Sequence, residues 1–160
     1  MRRKRIDPDA YLSRVGPKTR LALSHFGSEW EQGQHVLVSG PTGSGKTTLS
    51  RLVYDERIRR GGHVIVFVMK LQDDKTILED YAGWTRWTKF KSKGVAPHEN
   101  RILLWPNTDG LSATQALPVQ REVFGHAIEE LSKVGCWTVG IDEGLYTCSP
   151  TFLNLSQPLA

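Results

Sequence analysis

Eight consecutive residues have the types and spacing for phosphate chemistry. Gly40-Pro41-Thr42-Gly43-Ser44-Gly45-Lys46-Thr47 fits the pattern G-x-x-x-x-G-K-[ST] without a mismatch. Gly40, Gly43 and Gly45 open backbone conformations closed to residues with a Cβ, so successive N–H groups can turn inward on phosphate oxygens. Lys46 would set its ammonium against the β and γ phosphates of ATP, and Thr47 would offer its hydroxyl to Mg²⁺. Thr48 belongs to the same binding stretch, where a helix start would add its own unsatisfied N–H groups. The alternative is a glycine-rich turn that binds nothing, and the agreement between pattern and flanks argues against it.

A second chemical pair lies about 100 residues downstream, where Asp142-Glu143 ends the apolar run Cys136–Ile141. A carboxylate at the C-terminal end of a buried parallel strand stands where ligands bind in open α/β sheets. Asp142 would hold Mg²⁺ through water, in the manner of a Walker B aspartate. Glu143 could polarise the water that attacks the γ-phosphate. An acidic pair in a surface turn is the plain alternative. A glutamate beside the metal carboxylate favours water as nucleophile, hence NTP hydrolysis over phosphoryl transfer to a small molecule.

The elements that must position these groups read as an alternation of strands and helices. His35–Ser39 reads as a buried strand entering the glycine loop, and Lys46–Arg60 as a helix with Leu49, Leu52 and Val53 on one face. Gly61-Gly62 ends that helix, and His63–Val68, β-branched and almost uncharged, reads as a second buried strand. Strand, helix and strand together predict a parallel β-α-β unit. Thr76–Lys93 reads as a helix followed by a basic irregular stretch, and Arg101–Trp105 as a short strand stopped by Pro106. Ser112–Lys133 reads as a helix with Pro118 in the first turn of its main segment. Cys136–Ile141 completes the pattern as a third buried strand. The fold class is α/β, three layers on a mainly parallel sheet, with an N-terminal basic arm and helix over residues 1–33 and the nucleotide domain over 34–160.

Composition is that of an ordinary soluble domain: 160 residues, 39% hydrophobic and 24% charged. The chain lacks an apolar run long enough to span a membrane and an apolar core behind its basic start that would mark a signal peptide, so a cytoplasmic location is expected. Its 21 Lys and Arg against 17 Asp and Glu give a net charge of +4, compatible with a polyanionic partner. Cys136 and Cys148 fit neither a zinc spacing nor a disulfide framework. His25, His98 and His126 stand alone without ligand spacing. ATP is the expected nucleotide, because no guanine-reading N-K-x-D run is present.

The chain resembles the FtsK/HerA-type DNA-pumping ATPases on three stretches: His35–Thr48, Val66–Lys70 and Thr138–Glu143. The resemblance spans about residues 34–146. It implies that Lys46, Thr47, Asp142 and Glu143 take the roles given above, with double-stranded DNA as partner. It also implies a homo-oligomeric ring in which a neighbouring subunit supplies an arginine. The chain departs from the family where the second strand would end in aspartate-proline-lysine, since Val68 and Met69 precede Lys70. It departs again after Glu143, where the family continues with two further strands and 17 residues remain here. The resemblance therefore implies a chain truncated after the Asp142-Glu143 pair, its sheet gapped, re-paired or completed by another chain, and its activity alone poor. Two other classes stay open: a P-loop kinase or nucleotide switch, and a non-catalytic nucleotide-binding fragment.

Two basic regions suit nucleic acid. Met1–Arg5 forms a short basic arm, though such ends are commonly only solvated. Trp84, Trp87 and Phe90 alternate with Arg86, Lys89, Lys91 and Lys93, a mixture that could stack on bases and follow phosphates. The stronger reading of this segment is a half-buried helix, with Ile77, Tyr81, Trp84 and Thr88 inward and the cations outward.

Overall fold

The computed structural model describes residues 36–41, 43–71, 74–91 and 99–141. The basic arm and helix expected over residues 1–33, Thr42, Lys93, Asp142 and Glu143 lie outside them. The chain divides into two compact units between Gly62 and His63.

In the first unit the glycine loop leads into α1, Lys46–Arg59. Leu52, Val53 and Ile58 are its buried residues; of the face expected from the sequence, Leu52 and Val53 are buried and Leu49 is half-buried. The helix stops as its glycines require. Gly61 N–H donates to the Ile58 carbonyl at 2.9 Å and Gly62 N–H to the Arg57 carbonyl at 2.9 Å, the paired bonds of a Schellman motif. Gly61 takes φ 82°, a conformation strained for any residue with a Cβ.

The segment before the loop corrects the sequence reading. Residues 36–39 form no strand, and Leu37 is 88% exposed. An extended segment becomes a strand only when a neighbour accepts its N–H and C=O groups, and the sheet below pairs its four strands without this one. Among the described residues the expected β-α-β unit therefore lacks its first strand.

Among the described residues the second unit is a four-stranded, all-parallel sheet with two helices. In chain order its elements are β1 (His63–Phe67), α2 (Lys75–Asp80), β2 (Thr85–Trp87), β3 (Arg101–Leu104), α3 (Ala113–Val134) and β4 (Trp137–Ile141). The spatial order is β2-β3-β1-β4. Pairing aligns Ile65 with Ile102 and with Val139, and Phe67 with Leu104 and with Ile141, so these six residues share one face. That face carries the core: Ile65, Phe67, Ile102, Leu104 and Trp87 meet Phe124, Ala127 and Leu131 of α3. Phe67 and Phe124 stack with centroids 4.9 Å apart.

Spacing explains why α3 lies there. Its buried residues Ala116, Gln120, Phe124, Ala127 and Leu131 recur every three or four positions, one helical stripe. The capping box closes its start, with Gln115 N–H reaching Ser112 Oγ and Ser112 N–H reaching Gln115 Oε1 at 3.0 Å. Pro118 is the sixth helical residue and not in the first turn. The helix runs through it, because Ala116 and Gln120, both buried, anchor the turn on either side.

Two other expectations are revised. The helix expected from Thr76 ends at Asp80, and Thr85–Trp87 is instead the edge strand β2, paired with β3. The third buried strand, β4, is only half-buried: Val139 is 39% and Ile141 43% exposed. As the last strand in the order it has a neighbour on one side only among the described residues, whereas central β1 is buried along Val64–Phe67.

Candidate phosphate-binding site

The loop Gly40–Thr47 is shaped by its glycines. Gly43 and Gly45 take φ 81° and 89°, and Gly45 in this conformation is the N-cap residue of α1. A capping side chain is absent at this position and the first turn holds no acidic residue. The geometry of any helix leaves its first N–H groups without an intrahelical acceptor. Here they stay available to an anion, at the positive end of the helix dipole. Ser44 N–H donates to the Pro41 carbonyl at 3.2 Å, which tightens the turn, and Leu49 N–H donates to Gly45 at 2.9 Å as α1 begins.

Lys46 bends back over this loop. Its Nζ donates to the Gly40 carbonyl at 2.8 Å and the Pro41 carbonyl at 2.9 Å. The ammonium is thereby held at the mouth of the turn by two neutral acceptors, which an anionic oxygen would outcompete. Gly40 leaves little room beside it: a Cβ there would stand 2.8 Å from Ser44 Oγ. Thr47 is exposed and Thr48 half-buried at the start of α1, so the Thr47 hydroxyl is open to solvent.

The structure thus gathers Gly40, Pro41, Gly43, Ser44, Gly45, Lys46, Thr47 and Thr48 in one turn. Backbone donors, an ammonium and a hydroxyl in that turn fit a polyphosphate with Mg²⁺. The two carbonyls that hold Lys46 carry no signal in the sequence, because any residue supplies a carbonyl.

The carboxyl end of β1 in the second unit is organised separately. Trp105 Nε1 donates to the Lys70 carbonyl at 2.8 Å, and Gln120 Nε2 donates to the Met69 carbonyl at 2.8 Å from a buried position. Lys70 Nζ lies 3.2 Å from Asp74 Oδ2, and Asp74 Oδ1 accepts from Thr76 N–H and Ile77 N–H at the start of α2. Partial burial pushes the Asp74 carboxyl up, but the Ile77 N–H, Lys70 and Thr76 N–H together hold it below the usual aspartate range.

The aromatic-basic segment is not the helix that spacing suggested. Trp87 is 2% exposed and both it and Phe90 belong to the core, so neither can stack on a base. Arg86, Lys89 and Lys91 are exposed. Arg86 lies over the buried Trp105 ring at 4.6 Å and Lys91 over the Trp87 ring at 5.3 Å.

No helix among the described residues is long and apolar enough to cross a membrane. Compared with protein families, curated proteins and solved structures, the chain matches none.

Proposed function

We propose that this chain binds and hydrolyses ATP as the motor part of an FtsK/HerA-like DNA translocase or packaging ATPase, built on a three-layer P-loop NTPase fold. One observation carries the reading. The uncapped start of α1, the glycine turn and the Lys46 ammonium, bent back onto the Gly40 and Pro41 carbonyls, lie together in one short stretch. The four-stranded parallel sheet is consistent with such a fold.

In this reading Gly40–Thr48 wraps the phosphates through backbone N–H groups. Lys46 exchanges its two carbonyl acceptors for phosphate oxygens, a trade of neutral for charge-assisted hydrogen bonds. Thr47 and Asp142 are the metal ligands, and Mg²⁺ would neutralise charge on the β and γ phosphates when bound. Glu143 orients and deprotonates the attacking water. The partner is double-stranded DNA, and the working form is a homo-oligomeric ring with an arginine donated across the subunit boundary.

A second reading, nucleotide binding without turnover, is favoured by the exposed, non-strand segment 36–39 that should anchor the loop. Phosphate release from Mg·ATP, measured with Glu143→Gln and Asp142→Asn beside the parent chain, separates the two. The motor reading expects turnover that Glu143→Gln abolishes while nucleotide binding survives. Binding with no turnover in the parent, with or without DNA, selects the second reading.

A further inference from the structure

The edge strand β2 carries a run of cations with no carboxylate among them. From Tyr81 to His98 the sequence has Arg86, Lys89, Lys91 and Lys93 and not one Asp or Glu. Arg86, Lys89 and Lys91 are exposed, and among the described residues none of the three forms an ion pair. Among the described residues four other cations are neutralised locally: Arg59 and Arg60 by Glu56, Lys133 by Glu130, Lys70 by Asp74.

Aromatic rings fix where two of these charges sit. Arg86 is held over Trp105, itself fully buried, and Lys91 over Trp87. Register places Arg86 beside Leu103 and Trp87 beside Leu104, so Arg86 stands on one face of the sheet and the Trp87 ring that Lys91 caps on the other. Lys89 lies in the bend between them. The cations therefore line the rim of the sheet. Each ring is buried and serves as the platform for an exposed cation that covers one of its faces. A surface whose charges lie over the buried Trp87 and Trp105 rings, with Trp84 half-buried beside them, suits a phosphate backbone better than unstacked bases, which need an accessible aromatic face.

We infer that Arg86, Lys89 and Lys91 form a rim that grips the phosphate backbone of double-stranded DNA without reading its sequence. The inference rests on the DNA-motor reading above and names the residues that would touch the partner.

Three lost phosphate contacts should shallow the dependence of log affinity on log salt by about 0.9 each, roughly 2–3 in all. The test is fluorescence anisotropy of a labelled mixed-sequence duplex and of one of its single strands, without nucleotide, across a salt titration. The full chain should bind the duplex at least as tightly as the single strand. Replacing Arg86, Lys89 and Lys91 together by Gln should weaken duplex binding more than tenfold at low salt and shallow the slope as stated. Lys89→Gln with Lys91→Gln leaves the Arg86–Trp105 contact intact and should give about two-thirds of that change in slope, which covers any loss of folding in the triple variant. The charge-keeping set Arg86→Lys, Lys89→Arg and Lys91→Arg should retain binding. Clear preference for the single strand, no duplex binding, or an unchanged slope in both Gln variants overturns the inference. So does a change in association state alone, because charges on an edge strand can also serve merely to block strand addition. Lys46→Ala should leave duplex binding intact, so failure of the nucleotide site and failure of the rim are told apart.

Discussion

Removing the Lys46 ammonium separates a structural turn from a phosphate site. In the nucleotide-free protein Lys46 Nζ makes two hydrogen bonds, to Gly40 and Pro41, both at an exposed position. Exposed acceptors regain water when the donor is lost, so Lys46→Ala should change nucleotide-free stability by less than about 1 kcal/mol. Toward a triphosphate the same ammonium forms charge-assisted bonds worth roughly 1.5–3 kcal/mol, a tenfold to hundredfold loss of affinity. Thermal unfolding reports both quantities at once. With Mg·ATP at about 100 times the parent Kd, binding stabilises the parent by about 2.7 kcal/mol. At the same concentration the variant would sit at only about 1–10 times its own Kd. Its stabilisation would fall to roughly 0.4–1.4 kcal/mol. The unfolding midpoint without nucleotide should thus be nearly shared, and the ATP-induced shift should shrink by half or more. An equal ATP-induced shift in the two proteins would refute the argument, as would a variant that unfolds outright without ligand.

Two further outcomes follow from packing and capping. Phe124 is fully buried and stacked on Phe67, so Phe124→Ala should cost about 3–5 kcal/mol in urea unfolding; a loss below about 1 kcal/mol would mean that α3 does not cover the sheet as described. Asp74 has its folded-state pKa depressed, so its contribution is present above the unfolded-state value and is lost as pH falls through the folded one. Asp74→Asn should therefore flatten the acid limb of the stability curve below about pH 4, and a limb as steep as the parent's would show that the Lys70 and helix-start contacts contribute nothing.

Local chemistry was more legible than the edges of the sheet. The α1 boundaries followed from the glycines at both ends, and α3 from its stripe, its Ser112–Gln115 box and Gly135. β1 and β3 announced themselves as β-branched or leucine runs. The sequence does not say whether an apolar segment finds a partner, and that decided the rest. Val36-Leu37-Val38 has the composition of a strand yet pairs with none of the four, while Thr85-Arg86-Trp87, with two polar residues in three, pairs beside β3. The spacing of Ile77, Tyr81, Trp84 and Thr88 suited a helix face, but a period near four also fits a short helix, a turn and a strand over so short a stretch. At the phosphate loop, residue types announced the turn, whereas the position of Lys46 depends on backbone oxygens that no pattern encodes.

The two borders of the sheet are unlike each other. One ends at Thr85-Arg86-Trp87, where Arg86 would repel a second copy of itself laid alongside. The other ends at Trp137-Thr138-Val139-Gly140-Ile141, without a charge or a proline, the kind of border onto which another extended chain can zip. Among the described residues, the border at Trp137–Ile141 is thus better suited to take a further strand than the one that carries Arg86.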